Sequence, residues 1–139
     1  MSPALTFQFA YRPDLDVFTA RWLTSHTLST DRAEYETVLQ APEALGTPHW
    51  LFDVRRRPTT NVAAARWVTT DWLPRAAALV RPARLRLAFL VAPYRAEHLR
   101  TDDELRDIMT AAYAPGHPFA LRTFTDEGAA VSWLQGKLN

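Results

Sequence analysis

The sequence predicts an α/β domain built on a single open five-stranded sheet, mixed but mostly parallel, with an N-terminal hairpin and four helices in the order ββαβαβαβα. Three observations carry this reading. Residues 5–22 alternate apolar and polar on either side of a Pro13-Asp14 turn. Apolar runs at 49–54, 85–91 and 119–124 are too short for helices. The stretches between those runs carry apolar residues three and four apart, as one face of a helix does.

In chain order, Leu5, Phe7, Phe9 and Tyr11 form the apolar face of the first strand, and Phe18, Ala20 and Trp22 that of the second. Asp31 and Glu34 have capping-box spacing, followed by the stripe Tyr35, Val38 and Leu39, and Pro42 and Gly46 end that helix. His49 to Val54 reads as a strand buried on both faces. From about Asn61 to Val80 the chain is Ala-rich and helical, with Ala64, Val68 and Trp72 on one stripe; Pro74 is expected to kink it or to start a second segment. Leu85 to Val91 is the fourth strand, interrupted only by Arg86. Thr101 with Glu104 reads as a capping box ahead of Leu105, Ile108, Met109 and Ala112. Phe119 to Phe124 is the last strand, and Thr125, Asp126 and Glu127 open a last helix through Ala130, Val131, Trp133 and Leu134.

Composition sets the outer bounds. A chain of 139 residues can bury about 68–70% of its extended surface, enough for one core, so residues 1–139 read as one domain. Hydrophobic residues at 47% and charged residues at 22% match soluble globular proteins and exclude disordered, collagen-like and membrane-spanning classes. A net charge of +1 provides no field to attract nucleic acid or an anionic membrane. Fifteen of the sixteen basic residues are Arg, with Lys137 the only lysine, which fits a GC-rich codon supply. The absence of cysteine excludes disulfides, thiolate nucleophiles and Cys-ligated metals. Met1-Ser2-Pro3-Ala4 carries no basic and apolar leader pattern, and the apolar stretch Leu85 to Ala92 is too short to span a bilayer. The expectation is a cytoplasmic protein with no membrane insertion.

The element order, the strand His49-Trp50-Leu51-Phe52-Asp53-Val54 leading into a polar turn and helix, and the closing segment from Phe124 to Leu134 together resemble the STAS or SpoIIAA-like superfamily. The similarity is to its small stand-alone bacterial members, the Bacteroidetes-type proteins. It implies a SpoIIAA-like fold and a non-enzymatic interaction module, with no cofactor, that binds a protein partner through the turn after the third strand and the second helix. In that family some members are switched by phosphorylation in an Asp-Ser-Ser-Gly motif at this position. The corresponding stretch here is Asp53-Val54-Arg55-Arg56-Arg57-Pro58-Thr59-Thr60-Asn61, which lacks that motif but places Thr59 and Thr60 near the switch position as candidate phosphorylation sites.

The same stretch is the best candidate binding site on local chemistry alone. It lies where a central strand ends and a helix begins, and ligands of open α/β sheets bind beyond the carboxyl ends of the strands. Arg55, Arg56 and Arg57, with Thr59, Thr60 and Asn61 at the helix start, could hold a phosphate or carboxylate. The next strand is expected to deliver Tyr94 and Arg95 to the same edge. The competing structural reading is that a Thr or Asn merely caps the helix and the arginines are solvated. Of the five tryptophans, Trp22, Trp50 and Trp133 fall on core positions. Trp67 and Trp72 lie five apart on one helix and cannot both point the same way, which makes one of them a candidate contact for a partner or for a second copy of the chain.

Other chemistry finds no pattern. His26, His49, His98 and His117 have no metal-ligand spacing, and no serine lies in a nucleophile elbow. Gly46, Gly116, Gly128 and Gly136 form no phosphate loop, so no enzyme motif and no metal site is expected. Arg21, Arg86 and Arg122 are too isolated on their strands for a nucleic-acid platform. Two functions follow as expectations: a regulatory module for an unidentified protein partner, and alternatively a domain that binds a small or lipid-like ligand with an arginine-lined anion site. An interior filled by packed Trp and Phe would favour the first. An apolar cavity ending at Arg55 to Arg57 would favour the second.

Overall fold

A computed structural model describes residues 7–23, 30–57 and 60–137. Strands β1 (Phe7–Arg12), β2 (Val17–Trp22), β3 (His49–Asp53), β4 (Leu85–Leu90) and β5 (Phe119–Phe124) form one sheet in the spatial order β1-β2-β3-β4-β5. β1 and β2 pair antiparallel as the hairpin, and the other pairs are parallel. The fold class read from the sequence is therefore the one observed.

Strand order equals chain order, so every crossover from β2 to β5 advances in one direction. Right-handed crossovers then place all the intervening helices on one face. The packing agrees: Phe18, Trp50, Phe52, Leu87 and Leu121 share a core with side chains of α1 (Thr30–Val38), α2 (Pro42–Leu45), α3 (Val62–Trp67), α4 (Leu73–Leu79), α5 (Pro93–Thr101) and α6 (Asp103–Tyr113). Among the described residues, only α7 (Glu127–Leu134) covers the opposite face, laying Ala130, Trp133 and Leu134 over Val17, Leu51, Ala88 and Leu90. No helix among the described residues is long and apolar enough to cross a membrane.

Besides Pro42, which opens the short α2 instead of ending the first helix, the helical segments differ from expectation in four places. α5 falls in a stretch to which the sequence reading assigns no element: it is short of apolar residues, and Leu99 is its one buried position. Its presence moves the start of α6, whose cap is Asp102, accepting from the Leu105 amide at 2.9 Å; Thr101 ends α5, its hydroxyl donating to the Glu97 carbonyl. Glu34 is not spent on capping α1 but turns inward, where it is 5% exposed.

The fourth difference is at Pro74. Residues 62–79 are continuously helical, and the ring is accommodated by a π turn at Val68–Trp72, in which the Leu73 amide bonds to the Val68 carbonyl five residues back. A π turn carries one residue more than an α turn, so residues five apart come nearly into line instead of about 140° apart. Trp67 and Trp72 accordingly both pack on Tyr35, with ring centroids 6.2 and 5.0 Å away. The exclusion of a shared side, drawn from a regular helix, does not hold.

Three of the buried indoles find acceptors in the core, as buried polar groups require. Trp22 Nε1 donates to Glu34 at 3.1 Å, Trp50 Nε1 to the Ala44 and Thr47 carbonyls, and Trp72 Nε1 to the Tyr35 carbonyl at 2.9 Å.

Candidate functional site

The turn after β3 sorts the three consecutive arginines onto different surfaces. Val54 to Arg57 is a β-turn closed by the Arg57 amide on the Val54 carbonyl at 2.9 Å. Its two central residues, Arg55 and Arg56, point outward, while its ends, Val54 and Arg57, are 2% and 3% exposed. One anion cannot therefore be held by Arg55, Arg56 and Arg57 together, as the sequence suggested.

Arg55 joins an ion cluster on the α7 face. It donates to Asp53 at 2.8 and 3.0 Å and reaches Glu127 at 3.4 Å, and Arg21, the neighbour of Asp53 across the β2–β3 pairing, contacts Asp53 and Glu127. Burial alone would raise the Asp53 carboxyl, but hydrogen bonds from the Arg55 side chain and backbone, together with both guanidinium charges, hold it below its ordinary value. Arg56 is exposed and approaches the Leu23 carbonyl at 3.5 Å.

Arg57 turns to the other face and pairs with Glu34 of α1 at 2.9 Å, both side chains nearly inaccessible. Arg95, in the first turns of α5, donates through Nη1 to the Arg57 carbonyl at 3.0 Å, so adjacent strands do deliver these two residues to one edge. Arg32 of α1 lies 5.0 Å above the ring of Trp67. These three arginines line a cavity of about 450 Å³ between the sheet and the helices, Arg32 exposed, Arg95 half-buried and Arg57 buried.

The remaining wall is mostly apolar. Trp22, Tyr35, Trp67 and Phe89 supply aromatic surface, and Ala63, Ala64 and Ala65 of α3 supply a low one. Val91, Leu99 and Met109 are buried at the inner part, whereas Arg32, Asn61 and Ala63 are exposed and mark the mouth. Thr69 and Thr123 also line the space, their hydroxyls engaged with the Ala65 carbonyl at 2.9 Å and with Tyr113 at 2.6 Å. No acidic residue lines the cavity among the described residues. The arrangement suits an amphipathic anion: a mostly apolar wall with guanidinium groups among its lining.

The other predicted residues fall as follows. Thr60 is half-buried on the cavity wall, and Asn61 caps α3, accepting from the Ala64 amide at 2.7 Å. Thr59 lies outside the described residues. Tyr94 is 67% exposed beside the turn and does not line the cavity. Trp67 lines it, half-buried, but Trp72 is fully buried and offers no contact to a partner.

Arg32, Glu34, Tyr35 and Met109 were not anticipated at the site. Glu34 was hidden by its capping-box spacing, and Tyr35 and Met109 by their place on ordinary apolar stripes. The signal that could have found Glu34 is an acid at the start of an apolar stripe in a chain with many arginines. Comparisons of the chain with protein-family models, with curated proteins and with solved structures returned no match.

Proposed function

We propose that this domain binds a small amphipathic organic anion in the cavity at the carboxyl edge of its sheet. The observation that carries the reading is the lining itself: about 450 Å³ of mostly apolar wall with Arg32, Arg57 and Arg95 and no described acid. That volume lies toward the lower end of the roughly 300–1,000 Å³ found for small-molecule sites, which suits one small ligand. Glu34 pairs with Arg57 from behind, and Arg32 stands exposed at the mouth. Threonine and tyrosine hydroxyls border the space but no carboxylate or imidazole does among the described residues, and the proposal is one of binding.

The test is a thermal-shift screen of small organic acids against their neutral alcohol or amide counterparts, repeated with Arg95→Met. Acids should raise Tm and the neutral counterparts should not, and Arg95→Met should reduce the shift. Equal shifts by acids and neutral counterparts would defeat the reading.

A second reading follows from the STAS or SpoIIAA-like resemblance, which implies a protein partner at the turn after β3. One observation favours it: Arg56 and Tyr94 are exposed together with that turn, outside the cavity. Recovery of one defined protein with the wild type, and its loss with an Arg56→Glu, Tyr94→Ala variant that keeps its Tm, would support this reading over the first.

A further inference from the structure

We infer that the ligand of this cavity is an aromatic acid, its ring packed on Trp67, Tyr35 and the alanines of α3 and its acidic group directed to the arginines that line the space. The inference rests on the ligand-binding reading above and narrows its chemical class. Three observations lead to it.

The first is the character of the wall. Four of the lining residues are aromatic, and two of them, Tyr35 and Trp67, meet edge to face at 82°, leaving a corner bounded by rigid rings. A flat ring placed there gains offset or edge contacts with both, each worth from about twofold to about tenfold in affinity beyond the area buried. A flexible alkyl chain gains the area alone and loses rotamer freedom as it is ordered.

The second is the helix that carries Trp67. Ala63, Ala64 and Ala65 precede the indole on α3, so the turn of helix beside it offers only methyl side chains to the space. The face of a ring can approach such a surface closely, whereas a lining of Leu or Ile would break it into ridges.

The third is the position of charge relative to the rings. Arg32 already stacks over Trp67 at 5.0 Å, and Arg57 and Arg95 are joined to each other at the same edge. An acid attached directly to a ring, or one carbon from it, meets guanidinium groups while its ring stays on Trp67. The inner residues Phe89, Leu99 and Met109 leave no charged partner for a second acidic group at the far end, so a single acid at one end of the ring system fits best.

The experiment is calorimetric titration of the full chain with 2-naphthoate, decanoate and 2-naphthalenemethanol, repeated with Trp67→Ala. The inference expects 2-naphthoate to bind about tenfold tighter than either other probe. Trp67→Ala should weaken 2-naphthoate about tenfold and leave decanoate within about twofold. Decanoate binding as tightly as 2-naphthoate would overturn the aromatic inference while the anion-binding reading stands. 2-Naphthalenemethanol binding as tightly as 2-naphthoate would overturn the anionic part of both. No binding of any probe at about 1 mM, the weak limit of specific affinity, would remove both together. Trp67 is half-buried, so the variant is expected to fold; a Tm within a few degrees of wild type checks this, and Trp67→Phe, which keeps a ring, should recover most of the affinity.

Discussion

Arg95 Nη1 donates to the backbone carbonyl of Arg57 at 3.0 Å, joining the first turns of the helix after β4 to the turn after β3. The bond spans two parallel strands and holds two guanidinium groups at one edge of the sheet. Arg95→Met is expected to remove it at a cost of about 1 kcal/mol, lowering Tm by about 3–5 °C in calorimetry. The same variant should weaken binding of organic acids more than binding of their neutral counterparts.

Arg57 and Glu34 form a buried pair, and removing one partner leaves the other charged and poorly solvated. Glu34→Gln is expected to lose about 3–5 kcal/mol in urea unfolding. Trp22 loses a charged acceptor in the same change, adding to the cost. The double variant Glu34→Gln, Arg57→Met should be less destabilised than the sum of the two single variants, since it leaves no isolated charge.

Asp53 ties stability to pH through its two arginines. Because the fold lowers its pKa, its contribution is complete above the ordinary value of 3.8 and is lost as pH falls through the lower folded value. Asp53→Asn should cost about 2 kcal/mol at pH 7, the scale of hydrogen bonds to a charged group. Its deficit relative to wild type should shrink steadily in urea titrations taken from pH 4 down to about pH 2.

Trp67 and Trp72 should respond differently to truncation although both touch Tyr35. Trp72→Ala empties a fully buried position and is expected to cost about 3–5 kcal/mol. Trp67→Ala removes a half-buried wall and should cost about 1 kcal/mol. Chemical denaturation of both variants, with wild type alongside, measures the contrast.

Periodicity and end signals were sufficient for the sheet and most of its helices, because core positions repeat at two residues in strands and at 3.6 in helices. They failed at α5, where one buried leucine makes no stripe, and at residues 68–72, where the helix changes its own period. The site was legible only in location. That Arg57 and Arg95 meet at the sheet edge follows from strand adjacency, but the separation of Arg55 from Arg57 depends on a β-turn that composition does not reveal. Glu34 was the hardest to foresee: its spacing from Asp31 had an adequate local explanation, and its actual partners, Trp22 and Arg57, are 12 and 23 residues away in the chain.

The π turn makes the interior tolerant of losing one residue and dependent on keeping the irregularity otherwise. Removing one residue from 68–72 would restore an ordinary helix and leave its two flanks in nearly the same orientation, because four residues of α-helix turn through almost the angle that five cover in the π turn. Regularising the helix at its present length would instead rotate residues 62–67 by about 100° relative to Trp72 and carry Trp67 off Tyr35, so the hollow keeps its shape through one extra residue held in place.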